Sequence, residues 1–253
     1  MRWREQLDEF YSADSPETWK KVLGDGLHYH YGYYQDNSTS FEEAQLQAIR
    51  NFYPYIVPGS HVLDAGCGWG GPAQLLTHDL GCKVKGVTIS NTQYEYCQKL
   101  GLDVVLDDLE TMKFKGLSFD AIIMIESLEH ITNKQRLFQK AREISPKIIL
   151  RTNCVSNLLG AARGKPDTSF LKLETPEVIC RRLEKAGWRI KSVTNRRNKA
   201  GLTQVHWQQR LKTAFNGSPP EGQLRVLSDL CEHSLSNPAK WAKACPLMDI
   251  VAE

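Results

Sequence analysis

Two clusters of residues in this chain have the types and spacing to do chemistry. The first is Val62-Leu63-Asp64-Ala65-Gly66-Cys67-Gly68-Trp69-Gly70-Gly71. A short apolar run ends in an acid and then in glycines, which let a ligand approach bare backbone in a tight turn. An acid and free carbonyls in such a turn suit a ligand with a cationic tail. A dinucleotide fingerprint can be read from Gly66, Gly68 and Gly71, but alone it is weak. A nicotinamide site also wants an acid at the end of the second strand, and Gly86-Val87-Thr88-Ile89 has none. The second cluster is Glu126-x-x-Glu129-His130. Carboxylates and imidazole are groups that take a proton from a nucleophile.

Both clusters need a scaffold that brings strand ends to one cavity. Apolar runs place strands at 61–65, 83–89, 103–106, 119–125, 147–151, 189–193 and 247–251, with helices between them. Runs such as Ala121-Ile122-Ile123-Met124-Ile125 suit a sheet buried on both faces. The expected fold is α/β: a Rossmann-like, doubly wound, mostly parallel seven-stranded sheet with a helical cap. One domain is expected over 1–253. In it, 1–40 is an N-terminal cap segment, 41–194 the cofactor-binding core, 195–245 a helical cap insertion and 246–253 the last strand. Ser15-Pro16-Glu17 restarts a helix near the N-terminus, and Ser40 with Glu43 forms a capping box for a helix running to about Tyr53. Thr203 to Ala214 and Gln223 to Leu235 read as cap helices, separated by Asn216-Gly217-Ser218-Pro219-Pro220.

Bulk properties narrow the class. The chain has 253 residues, 41% hydrophobic and 24% charged, as an ordinary globular protein does. A net charge of +3 is too mild to point to nucleic acid. Arg181-Arg182, Arg189 to Lys191 and Arg196-Arg197 read as solvated helix faces. Seven cysteines with no C-x-x-C pair argue against a zinc ribbon or a disulfide scaffold. With no apolar signal core and no stretch long enough to span a bilayer, the expected location is cytoplasmic.

Thr39 to Gly71, Gly86-Val87-Thr88-Ile89-Ser90-Asn91-Thr92-Gln93 and Ile125-Glu126-Ser127-Leu128-Glu129-His130 together resemble one branch of the class I S-adenosylmethionine-dependent methyltransferases. It is the cyclopropane-fatty-acid-synthase-like branch, which also holds plant alkaloid N-methyltransferases. The resemblance implies S-adenosyl-L-methionine as cofactor. Asp64, Gly66, Cys67 and Gly68 would serve its methionine part, and Thr88, Ile89 and Gln93 its ribose side. Asp108 and Leu109 would take the adenine, with Glu110 as the rival acid. Tyr29 and His30 match a segment that folds over the cofactor.

The same resemblance assigns Glu126, Glu129 and His130 to catalysis and leaves three chemistries open. They could orient and deprotonate an amine, hold a divalent cation that orients a hydroxyl, or help hold a bicarbonate base for cyclopropanation. The cysteine and tyrosine that hold bicarbonate in cyclopropane synthases fall here at Tyr31 and near Ala200, which argues against the third. The expected activity is therefore methylation of a small-molecule acceptor, with amine N-methylation ahead of O-methylation and of C-methylation of a lipid. A catalytically silent S-adenosylmethionine-binding protein is the non-enzymatic alternative. Tyr31, His206 and Trp207 are the expected acceptor-facing residues, and no resident metal is expected.

Overall fold

A computed structural model describes residues 3–114, 116–157 and 171–253 of the chain. Its strands are β1 (His61–Ala65), β2 (Lys83–Thr88), β3 (Val104–Leu106), β4 (Ala121–Ile125), β5 (Ile148–Asn153), β6 (Ile190–Asn195) and β7 (Leu247–Ala252). They form one seven-stranded sheet in the order β3-β2-β1-β4-β5-β7-β6. The pairs among β1 to β5 are parallel, and β7 lies antiparallel between β5 and β6. The expected α/β sheet is therefore present, with its direction reversed in the last strand alone.

The helices are α1 (Trp3–Ser12), α2 (Pro16–Leu23), α3 (Phe41–Arg50), α4 (Gly71–Leu80), α5 (Asn91–Lys99), α6 (Lys134–Ile144), α7 (Pro176–Lys185), α8 (Arg197–Ala200), α9 (Leu202–Phe215), α10 (Gln223–Ser236) and α11 (Pro238–Ala244). Ser15, Ser40, Ser90, Asn133 and Thr175 each cap the helix that follows by accepting a backbone N–H. Only half of the expected capping box forms at α3. Ser40 Oγ accepts from Glu43 N at 3.1 Å, while the Glu43 carboxylate turns to Gln47 and Arg50. That helix also stops at Arg50, and Pro54 lies in a separate 3-10 turn at Tyr53–Tyr55.

Alternate residues of the central strands bury against two helical layers. Leu63, Ile122, Met124, Ile148 and Leu150 pack with Phe138 of α6 and Ile179 and Leu183 of α7. Val62, Ile123, Ile125 and Ile149 pack on the other face with Ile49 of α3 and Leu76 of α4. This is the pattern of a sheet covered on both sides. A separate cluster joins Trp19, Val22 and Leu23 of α2, Trp207 and Leu211 of α9, and Leu224 and Leu227 of α10 to Trp69 of the glycine turn. It brings the N-terminal and late helical segments together beside the C-terminal end of β1. Among the described residues no helix is long and apolar enough to cross a membrane.

Candidate active site

A cavity of about 260 Å³ opens where β1, β2, β4 and β5 end. That is the carboxyl edge at which open α/β sheets bind ligands. Of the residues singled out in the sequence, Tyr29, His30, Tyr31, Gly66, Cys67, Gly68, Thr88, Ile89, Gln93, Asp108, Leu109, Glu126, Glu129, His130 and Trp207 all line it. Asp64 and His206 do not.

The glycine turn forms because other residues do not fit. Gly66 has φ +92°, and a Cβ there would meet Ser127 Cβ at 2.4 Å. Gly68 has φ +54° with no neighbour within 4 Å of a built Cβ, so its backbone faces open space. Asp64 lies inside β1, flanked in register by Gly86 and Ile123. Burial pushes its carboxyl up to about 7, and neither oxygen has a protein partner among the described residues. Because it does not line the cavity, it can act on a cationic tail through its charge but not by contact.

After β2, Thr88 Oγ1 donates to Gln93 Oε1 at 2.8 Å and accepts from Ser90 N at 3.2 Å. The one donor of the threonine is thus used while a lone pair of Oγ1 remains, and Gln93 Nε2 is the donor of the pair that is left. After β3, the Glu110 carboxylate accepts from Thr132 Oγ1 and from Asn133 N at 2.7 Å. Both its oxygens are thus engaged in bracing the turn before α6, whereas among the described residues Asp108 accepts only Glu110 N, through Oδ1 at 2.9 Å, and so has its Oδ2 left for an adenine amine. No protein acceptor takes the Leu109 N–H among the described residues, as a donor reserved for a ring nitrogen requires. These residues fit the expected cofactor.

The proton-handling side is built at the ends of β4 and β5. Glu126 follows β4 with φ +53°, a left-handed conformation that costs a non-glycine residue about 1–3 kcal/mol. Its Oε1 accepts the Tyr31 N–H at 2.7 Å and its Oε2 accepts Asn153 Nδ2 at 3.0 Å. Glu129 Oε1 accepts from the same Nδ2 at 3.0 Å and from Asn153 N at 2.5 Å, while its Oε2 has no protein partner among the described residues. Burial, followed by the charge of Glu129, pushes Glu126 up to about 7. Burial also raises Glu129, against the Asn153 hydrogen bonds. His130 Nε2 and the Tyr11 hydroxyl share a 2.5 Å hydrogen bond.

Asn153, Arg197, Arg151 and Tyr11 carried no local signal in the sequence. Arg197 was expected on a solvated face but is 3% exposed. Its Nη2 donates to Asn153 Oδ1 at 2.6 Å, its Nε donates to Cys245 O at 2.6 Å, and its guanidinium covers the Tyr31 ring at 4.3 Å. Arg196, its neighbour, donates to Asp249 at 2.9 Å. Arg151 is fully buried, bidentate to Asp249 at 2.8 Å through Nε and Nη2, and donates from Nη1 to Tyr31 O at 3.3 Å. The segment carrying Tyr31 is therefore gripped at its N–H by Glu126 and at its carbonyl by Arg151.

On the cap side, Trp207 is buried against Tyr31 and Tyr29, with ring centroids 5.2 and 5.8 Å apart. His206, one residue earlier on α9, instead stacks on Tyr34 at 5.9 Å and packs against Phe41. Successive helical residues point about 100° apart, so the two cannot share the cavity wall. Among the described residues no group of three or more His, Cys, Asp or Glu has the arrangement of a metal site. Glu126, Glu129 and His130 are instead divided between Asn153 and Tyr11.

S-adenosyl-L-methionine is the ligand for which one class of α/β enzymes keeps such a strand edge, the class I methyltransferases, and this chain is one of them. It belongs to the mycolic acid cyclopropane synthetase family, whose family model matches residues 4–155. Norajmaline N-methyltransferase of Rauvolfia serpentina is 28% identical over 191 residues, 65% of this chain and 64% of that protein. Sarcosine/dimethylglycine N-methyltransferase of Halorhodospira halochloris is 23% identical over 151 residues, 55% of this chain and 54% of that one. The chain thus matches between about half and two thirds of the length of these relatives. The cyclopropane synthase MmaA2 of Mycobacterium tuberculosis shares the fold, with a TM-score of 0.82 and 18% identity over 98% of this chain and 97% of that one.

Proposed function

We propose that the chain methylates an amine on a small-molecule acceptor. The observation that carries this reading is the pair of buried glutamates held on one amide. Two carboxylates so close favour a cation between them or a proton on one of them, and a protonated amine brings both. Glu126, with its carboxyl at about 7, is poised to take that proton near neutral pH. Glu129 Oε2, with no protein partner among the described residues, is available to hold the ammonium. His130, tied to Tyr11, is the second group able to accept a proton. The bound donor supplies an electrophilic sulfonium methyl, whose C–S electron pair stays on sulfur as the N–C bond forms. Two relatives that act on nitrogen, by their names, support the reading. Cyclopropanation is disfavoured because Tyr31 stands where the bicarbonate-holding cysteine would be, with its ring covered by Arg197 and Trp207.

The test is release of S-adenosylhomocysteine from S-adenosylmethionine with panels of amines, phenols and unsaturated phospholipids. Turnover of amines is expected, falling by about 10²–10⁴-fold in Glu126→Gln, the range for a lost general base. Methylation of phenols or lipids with no amine turned over would refute it.

A further inference from the structure

One face of α1 closes the cavity, and the adjoining face holds the helix in place. Leu7, Phe10 and Tyr11 stand at positions i, i+3 and i+4, so they share a face, and all three line the cavity. Asp8 and Ser12, four positions apart, form the neighbouring stripe and fasten it to the start of α5. The Asp8 carboxylate accepts Asn91 N at 2.9 Å, Asn91 Nδ2 and, at 2.8 Å, Ser12 Oγ. Ser12 Oγ, its one proton given to Asp8, accepts from Ser90 Oγ at 2.9 Å. Thr92 donates to Ser12 from N to Oγ and from Oγ1 to O, each at 3.4 Å. Ser90 in turn bonds both expected ribose-side residues, its N donating to Thr88 Oγ1 and its Oγ accepting Gln93 N. α1 is thus seated on the cofactor side of the site.

Tyr11 reaches from that seat to the proton-handling side. Its hydroxyl shares the 2.5 Å hydrogen bond with His130 Nε2, and the two rings meet edge to face with centroids 5.3 Å apart. Burial above all, and then Tyr29, Glu129 and Glu126 beside it, hold that hydroxyl well above its ordinary pKa, so it is a neutral phenol. It has no other hydrogen-bond acceptor among the described residues, so it donates to Nε2, and a neutral His130 then carries its own proton on Nδ1. A proton arriving at Nε2 reverses that bond without breaking it, because a phenol oxygen also accepts. The imidazole keeps its place before and after it takes a proton.

We propose that Tyr11 is a positioning residue for methyl transfer: it fixes the tautomer and orientation of His130, and it does so only while α1 is fastened to the turn at Ser90 to Thr92. This rests on the place of His130 in the reading above and deepens it. The helix links the two halves of the site, since whatever steadies that turn also steadies the imidazole.

The experiment uses the full chain with S-adenosylhomocysteine bound and Tyr11→Phe, which keeps the ring and loses the hydroxyl. Long-range proton–nitrogen correlation spectra read imidazole tautomers, and His130→Gln marks which signals belong to His130. Native His130 is expected with its proton on Nδ1, and in Tyr11→Phe the two tautomers should mix. With S-adenosylmethionine and an amine that the native chain turns over, Tyr11→Phe should lower kcat about tenfold, as loss of one neutral hydrogen bond does, and leave KM and S-adenosylhomocysteine affinity within about twofold. Asp8→Ala unfastens the helix and should lower kcat at least about threefold. Added to Tyr11→Phe it should change kcat little further, because both act through the same bond. A His130 spectrum indifferent to Tyr11→Phe overturns the inference, and so do losses that multiply in the double variant or that fall on KM. Turnover of phenols with no amine accepted removes the amine reading alone; the same spectra and double variant, run with a phenol, then decide the part of Tyr11.

Discussion

Asn153 decides the geometry of the proton-handling groups. A guanidinium can only donate and a carboxylate can only accept, so the amide between them has one orientation open to it. Its Oδ1 faces Arg197 and its Nδ2 faces both glutamates. Asn153→Leu leaves the three charged groups without that link. Hydrogen bonds to charged groups contribute about 1.5–3 kcal/mol each, so kcat/KM toward an amine is expected to fall about 10–100-fold. S-adenosylhomocysteine affinity, measured by calorimetry, should stay within about twofold, since the side-chain hydrogen bonds of Asn153 go to Glu126, Glu129 and Arg197 and none to the glycine turn; a matching loss of cofactor binding would mean the variant had damaged the whole cavity. Glu126, Glu129 and His130 were legible in the sequence because they sit within five positions of one another. Asn153 and Arg197 were not, because the contacts joining them to the glutamates and to each other span 24 to 44 positions and leave no local spacing to read.

Elements were legible in proportion to how far their own residues determine them. The apolar runs of β1 and β4 marked those strands directly. β5 was expected to end at Arg151 but continues to Asn153, because Thr152 and Asn153 pair with Met248 and Leu247 of β7. That partner-driven extension carries the asparagine to the cavity. α8 and α11, with four and seven residues, are too short for periodicity to announce, although Asn237-Pro238 is a helix-start signal. The end of β4 gives a test at this scale. Glu126→Ala and Glu126→Gly both lose the carboxylate, and they differ in tolerance of the left-handed backbone. Alanine is ordinarily the more stabilising of the two; here the glycine variant should be more stable by about 1 kcal/mol in urea unfolding. The ordinary order would show that the backbone relaxes once the side chain is gone.

The molecule as a whole keeps acids in its interior, and this sets its response to pH. Burial raises Asp64 from 3.8 and Glu126 from 4.5, each to about 7. Between those values the native state holds protons that the unfolded chain has released. Both groups therefore favour the fold fully at low pH, and that contribution is lost as pH climbs through about 4 to 7. Glu126→Gln removes one of them, so its melting temperature relative to the native chain should rise from about pH 5 to about pH 8. A difference flat across that range would mean Glu126 titrates in the fold as it does unfolded. The sheet order also governs when the molecule is finished. β7 is the last of the seven strands to be synthesised, yet it lies between β5 and β6. A nascent chain that has made everything through α11 still has β6 detached from the sheet. It also lacks Asp249, the anion that pairs with Arg151. The grip on Tyr31 is completed by the final strand, so the glutamates acquire their working arrangement after the cofactor half of the sheet can already have formed.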